Sequence, residues 1–540
     1  MRTLFLAALC SMVSWVLPVS TGAQATELDT VTEPANAPIK LPNDPHFHAN
    51  LEEDSWGQWQ FYDMVNPDHS GDINLGQAWS IETGDGSVVI AFLDTGLRMD
   101  HEDIVDNLWE NVDEKPSDAN GDGAPGVKGK DDDGDGLVDE DSLGKQPGEE
   151  GYANDLADDD DENGYPDDIH GWDFVDEDND PSDSLEQLGH GTLVAGFGAA
   201  RGNNGIGIAG AVWNAKMMPL RTSSRSVFAN AEDLAEALRY ARTNGANIIS
   251  MSLGVTDYDE EAAREIRTCF DAGIIMVAAA GNDGKQIIPL PNGDPRVITC
   301  GGCSINGEAL EFPNCGSDIN LVAPLVRPHT TFVLGRRSYY LKNADNQARG
   351  TSMAAPQVSA VAALVLSHRN RHPQLPRLTN RQVMALLYQT CDRIGERDYD
   401  TDGVPWDRRF GYGRVNAYAA LTYRGEIDAF PEIENVVAKK REGSATLTYD
   451  LVDADGDFCD VKVEFRPAVM GMPPWKQNAP WKRGSVSQHS RTEGLTPRKG
   501  LTITWLASVD SVQDGQRYEV RLMPDDNKLF GISDSLVVSF

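Results

Sequence analysis

Positive charge is scarce in this 540-residue chain. Lys and Arg number 46 against 85 Asp and Glu, a formal net charge of −39. That balance excludes nucleic acid and anionic membrane surfaces as partners, because both recruit basic patches. Long apolar runs are scarce too. The longest candidate, Leu4 to Val19, follows a basic Arg2 and precedes small residues at Ala23 and Ala25. It is short for a bilayer span and reads as a secretory signal peptide over residues 1–25. The expectation is a soluble exported protein, extracellular, periplasmic or at the cell surface, and a monomer.

Cysteine is sparse, with seven in all. Removing Cys10 with the signal leaves Cys269, Cys300, Cys303, Cys315, Cys391 and Cys459. An even count in an exported chain favours disulfides and leaves their pairing open. Cys300 and Cys303 have C-x-x-C spacing, but they follow the strand-like RVIT and lead into loop residues rather than a helix. That context argues against a redox motif, and no second C-x-x-C supports a zinc site. The chain also lacks G-x-S-x-G, which excludes lipase-type hydrolases. It has one D-T-G, at Asp94-Thr95-Gly96, and no second D-T-G or D-S-G, so the paired carboxylates of an aspartic protease are missing.

What is present is regular alternation. Residues 26–45 are Pro-rich and polar, an extended arm leading to the start of a folded unit by residue 84. From 85 to 425, apolar strand-like runs ending at Asp94, Arg221, Gly254 and Asn282 alternate with amphipathic helical patterns such as AEDLAEALRYARTNG and EEAAREIRTCFDAG. This predicts an α/β fold, a doubly wound and mostly parallel sheet covered on both faces. Ligands in such sheets bind beyond the carboxyl ends of the strands. From 426 to 540 the pattern changes to period-two runs separated by turns, among them ATLTYDL, DVKVEF, LTITWLAS, RYEVRLM and DSLVVSF. These predict a smaller all-β sandwich of the fibronectin-III-like kind.

Three short stretches carry chemistry. Asp94 ends the strand AFLDTG. His190 lies in LGHGTLVAG, at the start of a tightly packing helix. Ser352 lies in RGTSMAAP, just ahead of the apolar run QVSAVAALVLSHR, which reads as a buried helix. Singly, each has a plain structural alternative: a turn aspartate, a buried histidine, a helix N-cap serine. Together they supply a nucleophile, a base to take its proton and a carboxylate to orient that base.

In order and surrounding residues these motifs resemble those of the subtilisin family of serine endopeptidases. ISMSLG (249–254), VAAAGN (277–282) and GYGRVNA (411–417) agree with the same family, and the resemblance covers roughly residues 42–425. It implies a subtilisin-like fold and peptide-bond hydrolysis through an Asp94–His190–Ser352 triad and an acyl-enzyme. Asn282 would stabilise the oxyanion, with Ser252, Leu253, Gly254, Ala280 and Gly281 along the substrate cleft. Protein or peptide substrates are implied, and small cleft residues suit broad specificity. The resemblance also implies an inhibitory prodomain, whereas PNDPHFH and QAWSIETGDGSVVIAF already look like the mature enzyme's start. Bound calcium is expected to supply part of the missing folding drive.

Between Asp94 and His190 lies an acidic insert, residues 103–186. Over residues 101–190 there are 32 Asp and Glu, four Lys and no Arg. Two segments space oxygen ligands two apart ahead of a glycine: Asp131, Asp133, Asp135 with Gly136, and Asp159, Asp161, Asn163 with Gly164, followed by Asp168. That is the first half of a calcium loop, but Ser142 and His170 replace the glutamate of a complete EF-hand. Calcium in a structural role is the expected cofactor, with no organic cofactor. A secreted calcium-dependent adhesion or carbohydrate-binding protein is the competing, non-enzymatic reading.

Overall fold

The computed structural model describes residues 39–47, 58, 60–61, 71–114, 161, 163–183, 189–224, 228–255, 259–285, 290–304, 306–325, 330–334, 337–341, 350–395, 406–441, 443–457, 459–468, 482–488, 490–510, 512, 517–526, 529, 531–533 and 535–539. The stretch read as a signal peptide, residues 26–38 of the arm, and Asp131, Asp133, Asp135 and Asp159 lie outside them.

The first part of the chain is α/β. After the short helix α1 (Leu75–Ala78) come β1 (Val89–Asp94), β2 (Trp172–Asp173), α2 (His190–Ala199) and β3 (Lys216–Arg221). They are followed by β4 (Phe228–Ala229), α3 (Ala231–Thr243), β5 (Ile248–Met251), β6 (Gly254–Val255), α4 (Glu260–Asp271) and β7 (Ile275–Ala279). Then come β8 (Val297–Cys303), β9 (Leu321–Pro324), a hairpin β10 (Thr330–Leu334) and β11 (Arg337–Leu341), α5 (Ala354–Arg371), α6 (Asn380–Thr390), β12 (Gly413–Arg414) and α7 (Ala417–Thr422). Eight strands form one sheet in the order β12-β9-β8-β7-β5-β1-β3-β2, with every pairing parallel.

The local reasons for these elements are readable. The strands of the sheet are almost wholly buried, as both-face coverage requires. Asn230 caps α3 by accepting from the Glu232 N–H, and Asp259 caps α4 by accepting from Glu261 and Ala262. Acidic residues fill both first turns, where the helix dipole favours them. In α2, glycines permit contacts a side chain would block. A Cβ on Gly191 would lie 2.0 Å from the Gly96 carbonyl, and one on Gly196 would lie 1.9 Å from Thr331 Oγ1 on β10. The segment around that hairpin, residues 326–349, had no assignable pattern in the sequence. Thr330 and Thr331 fasten it to α2 by donating to the carbonyls of Leu193 and Thr192.

Two features of the sheet place a site. From β1 the chain goes to one side, first to the edge strand β2 and then to β3 between β1 and β2. It afterwards crosses to the other side and runs outward through β5, β7, β8, β9 and β12. The order therefore reverses at β1, where an open α/β sheet leaves a crevice at its carboxyl edge. The register then aligns the ends: Leu93 lies beside Met251, and Met251 beside Ala278. Asp94, Ser252 and the residues after Ala278 consequently emerge along one edge. Behind them α5 is buried over nearly its whole length and packs on β5, β7, β8, β9, α2 and α7.

The last part of the chain is a sandwich of two four-stranded sheets. One has β17 (Arg498–Trp505), β14 (Ser444–Val452), β13 (Glu432–Arg441) and β19 (Ile532–Ser533). The other has β16 (Lys482–Arg483), β15 (Asp460–Ala468), β18 (Arg517–Asp525) and β20 (Ser535–Ser539). Its own core is built around Trp505, Tyr449, Phe465 and Leu522.

The expected disulfides are not formed: Cys269, Cys300, Cys303, Cys315, Cys391 and Cys459 are free thiols, all but Cys315 buried. Cys300 and Cys303 sit three apart on β8, so they face opposite sides of the sheet. Cys300 joins the main core, while Cys303 packs in a small cluster with Ile319 and Phe410. Burial pushes the Cys303 thiol up to about 12, which disfavours the reactive thiolate.

The last part of the chain also contributes residues to the α/β core. Phe430, Leu529 and Ile532 belong to the main hydrophobic cluster, with Phe430 edge-on to Tyr388 at 5.7 Å between ring centroids. Arg381 pairs with Glu432 at 2.5 Å, and Arg521 bridges Glu464 and Asp318. Phe430→Ala should therefore cost about 3 kcal/mol and lower the thermal unfolding midpoint. A melting curve identical to the parent's would show that the two parts touch without supporting each other.

Candidate active site

Asp94 closes β1 with its carboxylate 3% exposed. Its Oδ1 lies 2.7 Å from His190 Nδ1 and also accepts the Thr95 N–H at 2.7 Å. His190 is the first residue of α2, and the left-handed backbone at Gly189 turns the chain into that helix. With Nδ1 committed to Asp94, the imidazole has Nε2 left for a second partner, and its ring is 21% exposed. Burial, the largest influence on the ring, favours the neutral form. The charge and hydrogen bond of Asp94, with the charge of Asp183, outweigh it and raise the imidazole pKa.

Ser352 lies in a single 3₁₀ turn, Thr351–Met353, just ahead of α5. That turn packs on α2, β7 and β8, which brings the serine to the same carboxyl edge as the Asp94–His190 pair. The residue at the N-cap of α5 is Met353, and no side chain caps that helix. The N-cap reading of Ser352 is thereby excluded.

Asn282 follows β7 on the exposed rim. Its Oδ1 accepts from the Thr351 N–H at 2.8 Å and the Thr351 hydroxyl at 3.2 Å, which leaves the Nδ2 end as its donor. Gly281 has φ +96° and donates its N–H to Thr351 Oγ1, and Asn314 reaches in to accept from Asp283 and Lys285. Ala280 forms a buried floor, its N–H bonded to Cys300 and its carbonyl to Asn314. Ser252 is buried and donates its hydroxyl to the Ser352 carbonyl at 2.9 Å. Leu253 is buried in the core, and Gly254 begins β6, which pairs with β4 through Phe228. Thr351 and Asn314 were not anticipated from the sequence. Their contribution is a loop-to-loop hydrogen bond that no local pattern announces.

Of the proposed metal ligands, Asp161, Asn163 and Asp168 are described and lie together. Glu114, a residue the sequence pattern did not indicate, joins Asp161 and Asp168, with carboxylate oxygens all within 4.8 Å of one another. Asn111 donates to both Asp161 and Asp168, and Tyr240 on α3 donates to Asp168 at 2.5 Å. Tyr165, Trp172, Phe174 and Tyr240 pack edge-to-face around this loop. Burial raises the Asp168 pKa against the three hydrogen bonds that hold it down. His170 at the twelfth position turns instead to the Trp109 carbonyl at 2.8 Å. A second acidic cluster, Asp428, Asp455 and Asp457, lies where the α/β part meets the sandwich.

The subtilase family model matches residues 85–413, more than half of the chain, and the chain belongs to that family. It is similar to the thermophilic serine proteinase of Bacillus sp. (strain AK1), at 34% identity over 256 residues, covering 47% of this chain and 57% of that protein. It is 30% identical to the halolysin-like extracellular serine protease Nep of Natrialba magadii, over 65% of this chain and 50% of that one. With thermitase of Thermoactinomyces vulgaris it shares 31% identity over 47% of this chain and 81% of thermitase. The chain thus spans only about half the length of the first two relatives.

The raised imidazole has a measurable sign. The His190 ring should titrate above the ordinary value of about 6.5, and Asp94→Asn should lower that midpoint by removing the charge that holds the proton. NMR of ring-labelled histidine reads both. A midpoint unmoved in Asp94→Asn would contradict the coupling.

Proposed function

We propose that the chain is a secreted serine endopeptidase that cleaves peptide bonds of proteins through Asp94, His190 and Ser352. The observation that carries this reading is the 2.7 Å Asp94–His190 bond at the sheet edge, beside the buried turn that holds Ser352. His190 Nε2 takes the Ser352 proton as Oγ attacks the scissile carbonyl, and Asp94 holds the ring in the required tautomer. The Asn282 amide, fixed through its oxygen by Thr351, donates to the developing oxyanion together with the Ser352 N–H. His190 then returns the proton to the leaving amine, and water resolves the acyl-enzyme by the reverse sequence. Ser252 to Gly254 offer a strand for the substrate backbone, a general mode of peptide recognition. Ala280 and Gly281 form the wall opposite. The names of two relatives place one outside the cell and make the other thermophilic; secretion of this chain fits its N-terminal pattern.

The acidic loop fits a hard divalent cation. Its donors are oxygens from Glu114, Asp161 and Asp168, with the amides of Asn111 and Asn163 beside them, which is calcium rather than zinc chemistry. Calcium bound there would neutralise clustered carboxylates and hold the loop to α3; it takes no part in peptide hydrolysis. Calcium should raise the thermal midpoint and a chelator lower it, and both effects should vanish in Asp161→Ala. A calcium shift of the same size in that variant would place the ion elsewhere.

Casein cleavage by the purified protein should be abolished in Ser352→Ala, and Asn282→Ala should lose about 10²–10³ in turnover. Undiminished cleavage by Ser352→Ala would overturn the assignment. A folded parent that binds an immobilised glycan and cleaves nothing would favour the adhesion reading.

A further inference from the structure

A second carboxylate lies behind the Asp94–His190 pair, and the mechanism above does not use it. Asp183 is 5% exposed, near the C-terminal end of the acidic insert. Its Oδ1 accepts from the Thr95 hydroxyl at 3.1 Å, and its Oδ2 accepts from both the N–H and the hydroxyl of Thr192, each at 2.9 Å. Thr95 is the neighbour of Asp94, and Thr192 lies two residues beyond His190. One buried group therefore holds the residue after the acid and the first turn of the helix that carries the base.

The direction of these bonds follows from what each hydroxyl is already doing. Thr95 Oγ1 accepts from the Gly191 N–H at 2.9 Å, and Thr192 Oγ1 accepts from the Arg98 N–H at 2.9 Å. Each hydroxyl has one proton to give, and the group that receives it is Asp183. Three donors converge on two oxygens, a set that an ionised carboxylate satisfies as it stands, whereas a carboxamide would turn its NH₂ toward a donor and force that hydroxyl to reorient. The backbone tightens the same knot. Asp183 donates its N–H to the Leu97 carbonyl, Leu97 donates to Pro181, and a Cβ on Gly96 would lie 2.9 Å from the Asp183 nitrogen. Gly191 in turn is pressed against the Gly96 carbonyl, so the turn after Asp94 and the start of α2 have no slack between them.

We propose that Asp183 is a positioning residue for the Asp94–His190 pair, clamping the end of β1 to the start of α2 through Thr95 and Thr192. The proposal rests on the endopeptidase reading for its kinetic consequence, but the clamp itself is a property of the fold. Two titratable groups face Asp183: Asp94 on β1 and His190 on α2. Burial, opposed by the Thr192 and Thr95 hydrogen bonds and assisted by the Asp94 charge, pushes the Asp183 carboxyl up to about 7. Its charge in turn helps to hold the proton on His190.

The test compares the pH dependence of kcat and kcat/KM on a chromogenic peptide for the parent, Asp183→Asn, Thr95→Val and Thr95→Ser. Asp183→Asn should lose about 10-fold or more in kcat with KM changed far less, since misplacement acts on the reacting geometry. Its acid limb should also move to lower pH, because a negative charge beside the imidazole has gone. Thr95→Val should lose kcat in the same way, and Thr95→Ser, which keeps the hydroxyl, should behave as the parent. A folded Asp183→Asn with parental kcat and parental acid limb would overturn the proposal. Should that variant fail to fold, a Thr95→Val with parental kinetics would overturn it equally. A loss of kcat with the limb unmoved would reduce Asp183 to a structural anchor and also overturn it. His190 ring titration by NMR supplies a readout independent of activity. A parent that cleaves nothing yet shows a lowered His190 midpoint in Asp183→Asn would sink the endopeptidase reading and leave the clamp standing.

Discussion

The hydrogen bond between Asp94 and His190 spans 96 residues of sequence and 2.7 Å of space. Everything else in the α/β part can be understood as the means of holding those two atoms together. A carboxylate buried at a strand end is costly unless hydrogen-bonded, and an imidazole in the same place prefers to be neutral. Each group reduces the other's cost, but only while the end of β1 and the first turn of α2 keep their separation. Gly191 makes that separation attainable, because a Cβ there would collide with the Gly96 carbonyl, and Gly96 in turn lets the backbone of residues 181–183 close against it.

The rest of the fold maintains the edge on which the pair sits. Parallel register fixes where β1, β5 and β7 end relative to one another, so Ser252 and the Ala280–Asn282 loop emerge beside Asp94. The buried α5 sets the height of the turn that carries Ser352, and Thr351 ties that turn to Asn282. On the other side of the sheet β2 reaches the acidic loop through Trp172, whose ring packs on Tyr165. The sandwich adds its own apolar residues to the same core rather than hanging from a linker.

Much of this was legible in the sequence because it depends on local pattern. Apolar runs ending at Asp94, Arg221 and Gly254 gave the strands, and amphipathic patterns gave α3 and α4, whose caps at Asn230 and Asp259 the structure adds. What was not legible depends on tertiary contact. The β10–β11 hairpin has little alternation of its own and is held by threonine hydroxyls on α2. Glu114 lies 47 residues from Asp161 and meets it only in the folded chain. Thr351, Asn314 and Asp183 act by hydrogen bonds to other segments of the chain, a kind of information that periodicity does not carry. The even cysteine count misled because five of the six thiols fill core space, where their value is packing rather than cross-linking.

The central claim is that the fold makes one serine, Ser352, a nucleophile through His190 and Asp94. The most direct measurement is stoichiometric labelling with a fluorophosphonate, followed by peptide mapping by mass spectrometry. The account predicts one adduct per chain, on Ser352, formed far more slowly in His190→Ala. An adduct on another serine, or labelling of Ser352 at the same rate without His190, would contradict it.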